Sequence, residues 1–197
     1  MKKTLITLAV LVAAITSHGQ GTVQYANTST TLIQTNNLNG GIGSAVGVGL
    51  YSVGLYVVAS AGAVDADFTL ATRQPTIGTV GNSTAAAGRI AGGGNPYTLT
   101  GIGAGAVISF QLRAWSTSAG SYEVAVVTPG AYAGKSLVGS TTTGGGITLP
   151  PALFSNTGSP VGTVPGFQMT LNPVPEPSTI ALGAFGLLAA WMIRRRK

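Results

Sequence analysis

The chain has 197 residues, of which 7% are charged against about 25% in ordinary globular domains, 30 are glycine and none is cysteine. Six of its ten basic residues stand at the ends, Lys2 and Lys3 at the start and Arg194, Arg195, Arg196 and Lys197 at the finish, so the net charge of +6 belongs to the termini. The other four, Arg73, Arg89, Arg113 and Lys135, balance the four acids Asp65, Asp67, Glu123 and Glu176; the basic cluster that a polyphosphate backbone needs is missing, which excludes nucleic acid as a partner.

Residues 1–19, MKKTLITLAVLVAAITSHG, have the basic start, apolar middle and small-residue end of a secretory signal peptide. The apolar run from Leu5 to Ile15 is 11 residues long, right for a signal helix and too short for a hydrocarbon core of ~30 Å. The expected cleavage after Gly19 discards His18, the only histidine, so the mature chain has neither His nor Cys. Ser-His-Asp and Cys-His catalysis and the structural zinc patterns are thereby excluded. An exported domain of about 150 residues buries enough surface to dispense with disulfides.

Residues 20–154 read as one all-β ectodomain, an antiparallel β-sandwich or jelly roll, because short alternating runs rich in β-branched residues recur between turn signals. Strands are expected at Thr22–Ala26, Thr31–Gln34, Val46–Tyr51, Leu55–Ala59, Phe68–Ala71, Gly88–Ile90, Tyr97–Leu99, Ser136–Thr141 and Gly166–Leu171. No internal apolar pattern of helical period reaches ten residues, so helices are expected only at the two ends. The clearest strand is Val107–Trp115, with Ile108, Phe110, Leu112 and Ala114 on one face and Ser109, Gln111 and Arg113 on the other. Ser121–Thr128 also alternates, and pairing the two as a hairpin sets Phe110 opposite Val126, Leu112 opposite Val124 and Arg113 opposite Glu123.

Sites for chemistry are few. Asp65 and Asp67 sit between strands, where a solvated turn or an Asx cap is the simpler reading, although their oxygens suit Ca2+. With Glu123 they are the acids available for glycoside hydrolysis, and Glu123 is already matched to Arg113. Lys135-Ser136 has no motif around it. The glycine clusters at 40–49, 92–94 and 101–105 lack the third glycine, the Walker lysine and the following helix of phosphate loops. Trp115 and Tyr122 are candidates for stacking on a sugar ring, or for capping a sheet face. No catalytic residue, metal or cofactor is expected.

Residues 155–173 read as a Pro/Gly-rich stalk that includes a last strand near 166–171. The tail, 174–197, contains an uncharged, mostly apolar segment over 179–193 with Trp191 near its end, closed by Arg194, Arg195, Arg196 and Lys197. This is the interfacial anchor and positive-inside pattern of a C-terminal transmembrane helix whose basic end stays in the cytoplasm.

Pro175-Glu176-Pro177, then Ser178-Thr179, the apolar segment and the four terminal cations resemble, in that order, the PEP-CTERM sorting signal of exported proteins of Gram-negative bacteria. The resemblance implies recognition by an exosortase-type membrane protease that cuts near Pro-Glu-Pro, releasing an ectodomain without a membrane helix. Prolines on both sides of Glu176 keep the site extended. Gly21–Asn27 and Gln111–Trp115 are similar to ectodomains found on this tail. The resemblance thus implies a non-enzymatic surface or matrix protein associated with exopolysaccharide; the alternative is a carbohydrate-binding or carbohydrate-active jelly-roll domain.

Overall fold

Val107–Ser116, the longest alternating run, is the strand around which the sheet is built. In the computed structural model, which describes residues 19–37, 41–45, 47, 49–81, 86–91, 94–157, 162–174 and 194–195, its eight inner residues are all buried. In chain order the elements are β1 (Gln20–Val23), β2 (Gln34–Asn37), β3 (Gly41–Ser44), β4 (Tyr51–Val58), β5 (Arg73–Val80), β6 (Tyr97–Gly103) and β7 (Val107–Ser116). Helix α1 (Tyr122–Ala125), β8 (Tyr132–Lys135), β9 (Gly139–Thr142) and β10 (Gln168–Leu171) follow. Between positions 20 and 174 the described elements are mostly strands, with α1 and short 3-10 turns over Asp65–Asp67, Leu70–Thr72 and Thr117–Ala119.

An eight-stranded sheet runs β3-β2-β10-β8-β7-β4-β5 with β9 as the eighth strand beside β7, and β1 pairs with β6 in a separate ribbon. β7 pairs with β8 over Arg113–Trp115 and with β9 over Val107–Phe110. Between them Ser136 continues the ladder, its amide donating to Leu112 O and its hydroxyl accepting from Leu112 N. β8 and β9 therefore act as one interrupted strand. Val53, Leu55 and Val57 of β4 and Ile108, Phe110, Leu112 and Ala114 of β7 join Val23 of β1 and Leu99 of β6 in one buried cluster. The ribbon is thus seated on the apolar face of the large sheet, with Tyr25 and Tyr97 meeting edge to face at 5.4 Å on its border.

Several expectations are corrected. Ser121–Thr128 is not a strand: Ser121 caps α1 by accepting from the Val124 amide, and Gly120, at φ +77°, turns the chain into it. Phe110 faces Val57 and Gly139, and Leu112 faces Leu55, while Val124 and Val126 are exposed. One edge of β7 is taken by β4 and the other by β8 and β9, so no edge is left for Ser121–Thr128 to pair with. Phe68–Ala71 runs into a 3-10 turn instead of a strand, and at Gly88–Ile90 only Ile90 pairs, in an isolated bridge with Val80. Pairing is not purely antiparallel, because β10 lies parallel to β2. That last strand is interior to the sheet, between β2 and β8. Among the described residues no helix is long and apolar enough to cross a membrane; the expected signal peptide 1–19, apart from Gly19, and the span 179–193 lie outside them.

Candidate functional site: the charged face of the sheet and the C-terminal tail

Alternation along β7 sends Ser109, Gln111, Arg113 and Trp115 to the face opposite the apolar core. β4 adds Tyr56 and β8 adds Lys135, which is in register with Arg113. This face is covered by the segment 60–67 and by α1. Ser109 Oγ donates to Ser60 O and accepts from the Ala63 amide, which fixes the covering loop. The loop then brings Asp65 over the sheet, where Gln111 Nε2 donates to Oδ1 at 2.7 Å and Lys135 Nζ to Oδ2 at 2.5 Å. These two donors, Lys135 first, hold the Asp65 carboxyl below the usual carboxylate range.

Arg113 is 6% exposed and lies between two rings, 4.6 Å from the Tyr56 centroid and 4.9 Å from that of Tyr122. Its Nε donates to Gln111 Oε1 at 2.7 Å, and Nη1 lies 3.6 Å from Glu123 Oε1. The same Glu123 oxygen accepts from Tyr56 OH at 2.9 Å. Burial, and then the bond to Glu123, push the Tyr56 phenol far above its ordinary pKa; burial raises Tyr122 as well. The expected Arg113–Glu123 pair therefore forms, with Glu123 presented by a helix instead of a facing strand. Four of the seven charged residues between positions 20 and 172 meet in this network.

Chemically the network is occupied with itself. Both Asp65 oxygens carry donors, one of them an ammonium, which is the wrong neighbour for a divalent cation. Asp67 Oδ2 accepts from the Val64 amide and so closes its own turn, the local cap expected of it. Among the described residues no three of His, Cys, Asp and Glu come together. Trp115, a candidate for stacking on a sugar or for capping a sheet face, is 1% exposed, in a small cluster with Ala125 and Ala131 beneath α1. Its Cη2–Cζ3 edge packs on Gly54, where an added Cβ would stand 3.0 Å from Cη2, and the buried ring offers no face to a sugar. Tyr122 is half-buried beside it and turned onto Arg113.

The chain leaves the sheet at β10. Asn172 N donates to Ala131 O and Asn172 O accepts from Gly130 N. Its side-chain amide reaches Ala125 O at 2.5 Å and Thr128 O at 3.3 Å. This clasp has no local signal, because its partners lie more than 40 residues away in sequence. Pro173 and Val174 follow; Pro175, Glu176, Pro177 and Trp191, with Arg196 and Lys197, lie outside the described residues, and Arg194 and Arg195 are exposed. Residues 173–197 match the family model of the PEP-CTERM protein-sorting motif. The chain carries a PEP-CTERM sorting signal. This signal is that of an exported protein, made as a membrane-anchored precursor, processed by an exosortase membrane protease and delivered to the cell surface. No curated protein and no solved structure matches the chain.

Proposed function

We propose that the protein is a non-enzymatic component of the cell surface or extracellular matrix, a two-sheet β-sandwich that associates with exopolysaccharide after sorting. The signal peptide 1–19 starts export; the span 179–193, with Trp191 and the cations Arg194–Lys197, holds the precursor until cleavage near Pro175-Glu176-Pro177. The match of residues 173–197 to the sorting motif carries this reading. A non-enzymatic role is supported by the carboxylates, since Asp65 is committed to Lys135 and Gln111, and Glu123 to Arg113 and Tyr56. A domain with only seven charged residues between positions 20 and 172, four of them paired with one another, suits contact with neutral polymers, where hydroxyl and amide groups do the binding.

The test has two arms. Cells expressing the full chain are fractionated beside cells expressing Pro175→Ala/Glu176→Ala/Pro177→Ala; the native chain is expected shortened at the surface and the variant full-length in the membrane. Equal length and location for both would refute the sorting reading. The released domain is then screened on polysaccharides, with retention and no turnover expected. Turnover abolished by Asp65→Asn or Glu123→Gln would replace this reading with a carbohydrate-active enzyme.

A further inference from the structure

We infer that the end of the domain carrying Val124, Val126, Val127 and Val174 is the surface on which the processing protease docks. The inference rests on the sorting reading above.

Asn172 is the last residue clasped to the fold, tied to the 125–131 segment by backbone and side chain. Only Pro173 and Val174 separate it from Pro175. At no more than ~3.6 Å per residue, Pro175 stays within about 11 Å of Asn172. That is about the spacing of two packed sheets. A protein that closes around Pro175-Glu176-Pro177 therefore comes to rest against this end of the domain.

The end is built for apolar contact. Val127 is 76% exposed, Val174 62%, Val124 48% and Val126 41%. Val124 and Val127 share one turn, and Val174 lies over Gly130, where an added Cβ would stand 3.5 Å from its Cγ2. From Ser116 to Gly134 the one charged residue is Glu123, which is turned inward to Arg113 and Tyr56. Exposed apolar groups gathered beside a processing site mark a protein contact. A lipid surface is the weaker occupant, because the segment 116–134 carries no cation to hold anionic headgroups.

The test follows the full chain by pulse–chase in cells that contain the protease. Val126→Glu/Val127→Glu is expected to slow conversion on the order of tenfold, the loss of two apolar contacts. Ile147→Glu/Leu149→Glu, exposed residues beyond the opposite end of β7, is expected to leave the rate unchanged. Val127→Glu singly, at the most exposed of the four positions, reads the same contact should the double variant unfold. Wild-type conversion of the valine variants, with the Pro-Glu-Pro variant blocked, would overturn the docking inference and leave the sorting reading standing. Wild-type conversion of the Pro-Glu-Pro variant would remove both. Slowing matched by lost flotation of the processed domain, freed of the span, on protease-free phosphatidylethanolamine–phosphatidylglycerol vesicles would assign the surface to lipid instead.

Discussion

One substitution, glycine to alanine in a strand, should have opposite signs at Gly134 and Gly103. A Cβ on Gly134 of β8 would stand 2.2 Å from Gln168 O, 2.7 Å from Met169 Cα and 2.8 Å from Gln168 C. All three atoms are backbone of β10, which is held on its other edge by β2 and cannot retreat without breaking that ladder. Overpacking costs ~1–3 kcal/mol, and a backbone obstacle places this case near the upper end. Against it stands a gain of at most ~1 kcal/mol from the lower unfolded-state entropy of alanine. The net loss is about 2–3 kcal/mol. At Gly103 of β6 no heavy atom lies within 4 Å of the added Cβ and φ is not positive, so only the gain of ~0.4–1 kcal/mol remains. For a domain of this size each kcal/mol moves Tm by ~2–4 °C. Gly134→Ala should thus lower Tm by roughly 4–12 °C and Gly103→Ala raise it by roughly 1–4 °C. Circular-dichroism melts of the full chain in one detergent measure both. Shifts of the same sign would refute the claim that β10 packs immovably against β8.

Two titrations probe the charged face. The lowered pKa of Asp65 means that its contribution to stability is present above the unfolded value near 3.8 and is lost as pH falls through the folded value. Urea unfolding between pH 6 and pH 2 should therefore show a shallower acid decline for Asp65→Asn than for the native chain (pH limits of about those values); parallel curves would show that the Lys135 and Gln111 bonds contribute nothing. The Tyr56 phenol is raised, so folding disfavours its ionised form and stability should fall as pH rises above 10. In a spectrophotometric titration of the native fold, one of the six tyrosines should ionise well after the rest, and Glu123→Gln should bring it part of the way back, since burial remains. An unchanged late step in Glu123→Gln would dissociate Tyr56 from Glu123.

Local patterning was enough to find β7, the all-β class and the partnership of Arg113 with Glu123. It failed where two structures satisfy the same alternation. Tyr122, Val124 and Val126 fit a strand, yet Ser121 offers an N-cap to the Val124 amide, and both edges of β7 are already taken, one by β4 and the other by β8 and β9. Trp115 allowed two readings, stacking on a sugar ring or capping a sheet face, and α1, which packs over it, buries it. The Asp65–Lys135 contact joins residues 70 apart and could not be read from either neighbourhood.

What the sequence determined by itself is the address. A sorting signal is read as a linear string, basic, apolar or proline-flanked, by machinery that meets consecutive residues, so residues 173–197 are legible without any fold. Tertiary structure decided what surrounds that string. It chose the neighbours of β7, folded four charges onto one another, and clasped Asn172 two residues short of Pro175. Those outcomes depend on which distant strands bury the most apolar surface together, a comparison made across the whole chain that no local window contains.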